Sequence, residues 1–220
     1  MAEPIPYRIR RSQRVRRVRV AVDLDRGVEV VLPMRTPERA AAAAVAELRP
    51  WIERRLAEVA ALRSRLAERA GCLPYLDERL TLVEEPGRTR VHRRGQDLFV
   101  PAGDEARRAG VERWYRRAAR DEVSVRLDRA TAAAGLSYSS LSIRGQRTRW
   151  ASCAADGSMS FNWRLLLAPE RVLDYVVWHE VSHLEVANHS PGFWALVERR
   201  CPDWREPAAW LRENGRDLVL

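Results

Sequence analysis

The chain has 220 residues, is 46 % hydrophobic and carries a formal net charge of +9, every one of its 39 basic residues being arginine. That composition suffices for one large domain, or one with an elaborated N-terminal half, with a buried core. No apolar run approaches the eighteen residues of a membrane span, and no signal-peptide pattern opens the chain, so no membrane role and a cytoplasmic location are expected.

The first elements read as a small β layer. Val18, Val20, Val22 and Leu24 alternate with polar or small residues, Asp25-Arg26-Gly27 turns the chain, and Val28 to Leu32 returns as the second strand of a hairpin. Arg8 to Arg19 is very basic; a solvated strand face is the simpler reading, a phosphate- or acid-binding arm the other. Thr36-Pro37-Glu38 starts a helix, Pro50 breaks it, and a second helix runs from Trp51 to Ala70, ended by Gly71. Arg79–Glu85 and Val91–Val100 are expected to pair around Pro86-Gly87. A long helix follows from Asp104 to Ala134, with Trp114, Tyr115, Ala118, Ala119, Val123 and Leu127 as its apolar stripe and Gly135 as its stop.

Beyond residue 136, Leu141-Ser142-Ile143 and Thr148–Ser152 read as strands. Asp156-Gly157 is a hairpin turn, and Ser158–Trp163 returns with Met159, Phe161 and Trp163 on one face. Pro169-Glu170 opens a helix that Val172, Leu173, Val176, Val177, Val181 and Leu184 bury on most sides. Asn188 is expected as a left-handed cap, and Ser190-Pro191 as the start of the next helix, with Phe193, Trp194 and Val197 on its core face. Helices over 191–200 and 203–213 close the chain.

The helix after Pro169 carries His179-Glu180-Val181-Ser182-His183, and His189 follows six positions later. Histidines four apart lie on one helical face, so both imidazoles reach one point. Glu180 lies about 100° round, close enough to a metal-held water without ligating the metal. Three protein ligands and an open position describe a catalytic zinc site. His179, His183 and His189 are therefore the expected ligands of one Zn2+ per chain, and Glu180 the catalytic residue. Cys72, Cys153 and Cys201 fit neither a zinc ribbon nor a disulfide framework.

Several segments also resemble a known family. Arg149-Trp150-Ala151-Ser152-Cys153, Gly157, Asn162-Trp163-Arg164-Leu165, Tyr175-Val176-Val177, His179-Glu180, and Asn188-His189-Ser190 with Phe193-Trp194 are similar to the YgjP-like metallopeptidases, relatives of the WLM and SprT-type zinc proteins. The resemblance is strongest from Arg144 to Leu211. It implies a zincin domain with three histidine ligands and a catalytic glutamate, roles that fall on His179, His183, His189 and Glu180. Ala151 stands where the family usually has glycine, and Ser182 where it usually has alanine.

The expected fold is α+β: a zincin-like metallohydrolase domain with an HExxH active-site helix, a small antiparallel sheet and an N-terminal β/α extension. It is read as one domain over 1–220, with the extension at 1–135 and the zinc-binding core at 136–220. The expected activity is zinc-dependent hydrolysis of peptide or unfolded-protein substrates, Glu180 acting as general base. Asn162, Arg164, Tyr175 and Arg149 are candidate oxyanion or substrate contacts, and Ser158–Asn162 is the candidate edge strand for an extended substrate. The alternative is a nucleoside triphosphate pyrophosphohydrolase, with Arg144, Arg147, Arg149 and Arg164 holding phosphates. A second alternative is a nucleic-acid-associated zinc protein of SprT-like type, although nucleic acid is not the favoured partner.

Overall fold

The computed structural model describes residues 3–24, 26–69, 71–146 and 149–220. The expected turn residue Asp25, the helix end at Ala70, the strand start at Thr148 and the candidate phosphate ligand Arg147 lie outside them. The chain is mixed α+β and divides into two compact units, residues 1–70 and 71–220. The sequence reading placed its internal boundary at 135/136. The second sheet and the long helix, which packs directly on the helix bearing the histidines, fall in the second unit.

In the first unit β1 (Tyr7–Ser12), β2 (Arg19–Asp23) and β3 (Gly27–Pro33) form a sheet in the order β1-β3-β2. The β2–β3 hairpin is antiparallel, as its alternation predicts, while β1 pairs parallel to β3 on the other side. Val28, Val30 and Leu32 pack against Ala41, Val45 and Ile52 of α1 (Arg39–Glu47) and α2 (Arg49–Glu68). The helices meet at Leu48, and Pro50 sits in the first turn of α2, where its missing N–H costs nothing.

The second unit begins with β4 (Cys72–Tyr75), β5 (Glu78–Glu84), β6 (His92–Arg94) and β7 (Asp97–Val100). The hairpin expected between 79–85 and 91–100 does not form. β4 and β5 pair antiparallel, β6 and β7 pair antiparallel, and β5 runs parallel to β7. The chain reverses at Leu76, at φ 53, and at Gly95, at φ 60. A left-handed Gly95 is a turn residue, so it cuts the expected ten-residue strand in two.

α3 (Asp104–Ala134) spans the expected residues and stops at a left-handed Gly135. Its stripe of Trp114, Tyr115, Ala119, Val123 and Leu127 is buried; a side chain such as Val123 or Leu127 removed from water contributes roughly 1.5–3 kcal/mol. β8 (Ser140–Arg144), β9 (Ala151–Cys153) and β10 (Ser158–Asn162) follow, then a short 3-10 turn (Trp163–Leu167), α4 (Glu170–His183), α5 (Pro191–Arg200) and α6 (Arg205–Asn214).

The sheet order is β8-β10-β9, with β10 antiparallel to β9 and parallel to β8. Two expectations change here. The sheet is mixed rather than antiparallel. Ser158–Asn162 is its central strand and not an edge, because β8 returns along the side that a lone hairpin would have left free. The edge strand that touches α4 is β9.

Candidate metal centre

α4 is held from both flanks. Val172, Leu173, Val176, Val177 and Val181 are buried in the main core. On the α3 side, Arg126 donates to Asp174 at 2.9 Å and also pairs with Glu122 and Glu170, and Tyr75 donates to Glu122 at 2.9 Å. On the α5 side, Arg200 reaches Ser182 at 3.3 Å and pairs with Glu185. Ser182 is fully buried and donates to the Trp178 carbonyl four residues back at 2.7 Å. The Ala-to-Ser difference therefore adds a hydroxyl with both roles satisfied.

α4 ends at His183, and the chain turns back so that the Nδ1 of His183 meets the Val186 carbonyl at 3.1 Å. That bond fixes the proton on Nδ1 and leaves the Nε2 lone pair for a metal. The turn does not use a left-handed Asn188: among the described residues the only non-glycine with positive φ is Leu76. Asn188 acts through its side chain, whose Oδ1 accepts the Ser190 N–H at 3.2 Å. Ser190 does precede Pro191 at the start of α5, but its hydroxyl makes no capping bond.

The result brings the three histidines together. One nitrogen from each of His179, His183 and His189 falls in a group whose members all lie within 4.8 Å of one another, and the group could hold a metal ion. The Nε2 atoms of His179 and His189 are 3.0 Å apart. Two nitrogens on a tetrahedral ion at roughly 2.0–2.1 Å would sit about 3.3 Å apart, so the spacing is close to that of a chelate. Burial, helped by the neighbouring imidazoles His183 and His189, holds His179 down at about 4, and burial likewise lowers His183. Both are thus neutral near pH 7, the form that ligates.

Phe193 is the residue the sequence undervalued. It reads as core, and it is fully buried, but it sits among the three histidines. Its ring stacks on His183 at 4.4 Å and lies 5.0 Å from His179 and 4.8 Å from His189. Trp194 stacks on His189 at 5.7 Å and on Trp204 at 4.5 Å. The i, i+1 pair at the start of α5 could be recognised from sequence only by knowing that the corner folds back on α4.

Glu180 is buried, and its carboxylate accepts the backbone N–H of Cys153. Burial pushes its carboxyl up to about 7, with the Cys153 bond pulling the other way. A carboxyl poised near neutrality is suited to taking and returning a proton. The contact also places β9 against the helix. The bonds from Asn162 N–H to the Trp150 carbonyl and from Ala154 N–H to the Ser158 carbonyl turn those backbones toward β10. Alternation then turns Ala151 and Cys153 outward, to the free edge.

The four remaining candidates differ. The Asn162 amide donates to the Gln146 carbonyl at 2.6 Å and the Arg149 carbonyl at 3.3 Å, and its oxygen accepts the Arg164 N–H at 3.1 Å. It fastens the loop before β9. Arg164 donates to the Gly145 carbonyl at 3.2 Å and lies over the Trp163 ring at 4.5 Å. Tyr175 meets the Nδ1 of His179 at 3.5 Å, on the side of the ring away from the other histidines' nitrogens. Arg149 is exposed, and its side chain makes no hydrogen bond among the described residues.

A family model described as YgjP-like, metallopeptidase domain, matches residues 16–214. Among solved structures the chain is similar to the metallopeptidase zymogen abylysin of Pyrococcus abyssi, at 25 % identity over 44 % of this chain and 99 % of that one, with a TM-score of 0.38. No curated protein matches.

Proposed function

The chain belongs to the YgjP-like metallopeptidase family, and from that premise we propose that it is a zinc-dependent peptidase whose site is His179, His183, His189 and Glu180. The observation that carries the reading is the convergence of three histidine nitrogens beside a buried carboxylate. A bound Zn2+ would supply an activated water and a Lewis acid for the scissile carbonyl. Glu180, with its proton affinity raised by burial, takes the proton released at attack and returns it to the leaving amine. His183 is oriented by the Val186 carbonyl, and Tyr175 sits at the outer nitrogen of His179, so both rings are held for ligation.

The extended substrate lies along β9, pairing with the outward N–H and carbonyl of Ala151 and the outward carbonyl of Cys153, whose N–H is held by Glu180. This strand replaces Ser158–Asn162 in that role. Of the four candidate contacts, Arg149 at the entry to β9 is the one proposed to meet substrate. Asn162 and Arg164 support its loop, and Tyr175 positions a ligand.

The test is an activity screen of zinc-loaded protein on an unfolded protein and on nucleoside triphosphates. Cleavage of the polypeptide is expected, with about one zinc per chain. Glu180→Gln should retain the zinc and lose at least roughly a hundredfold in rate, and His189→Ala should lose zinc. Pyrophosphate release without peptide cleavage, abolished by Glu180→Gln, would replace the peptidase reading. Full zinc occupancy in His189→Ala would remove that residue from the ligand set.

A further inference from the structure

We infer that the outer face of the β1-β3-β2 sheet, with the loop after β1, binds the phosphate backbone of double-stranded nucleic acid. The distribution of charge leads there. Residues 1–70 hold sixteen arginines against nine acidic residues, a net of +7, whereas residues 71–220 hold twenty-three against twenty-one, a net of +2. Most of the excess in a chain of net +9 therefore sits in the smaller unit. Within it, Tyr7 to Val22 contains seven arginines and no acidic residue, and all seven arginines are exposed.

The sheet sorts them. Tyr7, Val20 and Val22 join Val28, Val30 and Leu32 in the core under α1 and α2, so alternation puts Arg8, Arg10 and Arg19 on the opposite face. Arg10 and Arg19 flank Val31 from the two neighbouring strands. Alternate residues of a strand stand about 6.6 Å apart, and the loop adds Arg14, Arg16 and Arg17. Two of the seven are engaged: Arg10 pairs with Glu29, and Arg11 pairs with Glu38 and holds the carbonyls of Met34 and Thr36. Arg8, Arg14, Arg16, Arg17 and Arg19 make no ion pair among the described residues. Five uncompensated guanidinium groups repel one another, and a ligand with regularly spaced negative charges relieves that repulsion.

The face also selects among polyanions. Guanidinium groups match phosphate oxygens bidentately. The face carries no aromatic side chain on which unpaired bases could stack, since Tyr7 and Trp51 pack against the core, so a duplex fits better than a single strand. A membrane surface calls for an apolar face beside the basic one. Here the apolar face is consumed by the unit's own core, and the exposed Ile9, Met34 and Leu48 are scattered singly. The family match begins at residue 16, so Arg8 to Arg14 lie outside it.

The test is fluorescence anisotropy of full-length protein with a labelled DNA duplex of arbitrary sequence, titrated over a range of salt. Each phosphate neutralised contributes about 0.9 to the slope of log affinity against log salt. Substituting Arg8, Arg14, Arg16, Arg17 and Arg19 by glutamine should flatten the slope by about 4.5 if each meets one phosphate and weaken low-salt binding more than tenfold. The same five positions as lysine should retain the slope. Arg16→Gln with Arg17→Gln, which leaves the strands untouched, should flatten it by about two. Arg199→Gln with Arg212→Gln in the other unit should change neither. Unchanged duplex binding in the five-glutamine variant would overturn the proposal, and so would binding to phosphatidylserine vesicles without binding to duplex.

Discussion

The two units use the same residue for opposite ends. In residues 71–220 arginine is a structural tie: Arg126 joins three carboxylates on α3 and α4, Arg116 pairs with Glu112, and Arg200 links Ser182 and Glu185. In β1, β2 and the loop between them it is mostly unpaired and faces solvent. The lesson is that overall charge says little about where an interaction surface lies. A chain-wide +9 resolves into a nearly neutral unit carrying the histidines and a smaller, strongly basic one. Arginine content alone made the basic residues look evenly spread; pairing them with their carboxylates separates the two groups.

The sharpest way to break the comparison is to remove one arginine of each kind. The Arg126 side chain is 13 % exposed, and Glu122, at 29 %, is its most buried partner. Losing the cation therefore leaves a largely buried Glu122 carboxylate unmatched. Glu170 and Asp174 are half exposed, and water screens that part of the network. Arg126→Ala should therefore cost about 2–3 kcal/mol, below the roughly 3–5 kcal/mol of breaking a fully buried pair. Arg16→Ala should change stability by less than about 0.5 kcal/mol. Denaturant unfolding, followed by a tryptophan signal for the larger unit, measures both. Equal small effects would mean that the Arg126 network is only a surface feature.

Much of this site was readable in the sequence because it is local. His179, Glu180 and His183 share one helix, whose period dictates their geometry, and His189 is only six residues on. α3 was readable from its apolar stripe and its glycine stop. What escaped depends on long-range pairing. Nothing local says that β8 lies beside β10 and makes β9 the edge, or that β5 prefers β7 to β6. The Arg126 network joins residues 44 and 48 apart. Asn188 was misjudged for a different reason: asparagine can cap through its backbone or its side chain, and only the corner geometry chooses between them.

A second prediction concerns acid response in metal-free protein, where two buried groups on α4 oppose each other. His179 is depressed from 6.5 to about 4, so its contribution to stability is present above pH 6.5 and is lost as pH falls toward 4. Glu180 is raised from 4.5 to about 7, so its contribution is present below pH 4.5 and is lost as pH rises through 7. Each is worth on the order of 3 kcal/mol, and their signs cancel over most of pH 4.5–6.5. Stability of the metal-free protein should thus be nearly flat in that window. Glu180→Gln removes one side of the balance, and stability should then rise with pH from 4 to 6.5. Parallel profiles for the two proteins would mean that Glu180 does not titrate in this range.

The smallest expected effect separates a positioning group from a chemical one. Tyr175 is buried, and burial pushes its phenol up to about 12, so it stays protonated at any working pH. Its oxygen lies 3.5 Å from the Nδ1 of His179, while the Nε2 of the same ring faces His189. If the ring ligates through Nε2, the hydroxyl lies at its outer nitrogen, so the proposed role of Tyr175 is to orient the ring and not to meet the reacting carbonyl. Tyr175→Phe keeps the aromatic packing against Trp204, whose ring lies 6.4 Å away, and removes only the oxygen. Zinc affinity should fall, by no more than about tenfold given the long contact, because outer partners of metal-bound histidines typically contribute ten- to a hundredfold. At saturating zinc, kcat should stay within about threefold of the parent, since an oxyanion donor would cost about a hundredfold or more. Zinc competition with a chromophoric chelator reads the first quantity, and peptide hydrolysis at several zinc concentrations reads the second. A hundredfold loss of kcat with unchanged zinc affinity would move Tyr175 from the outer nitrogen of His179 to the substrate side of the site.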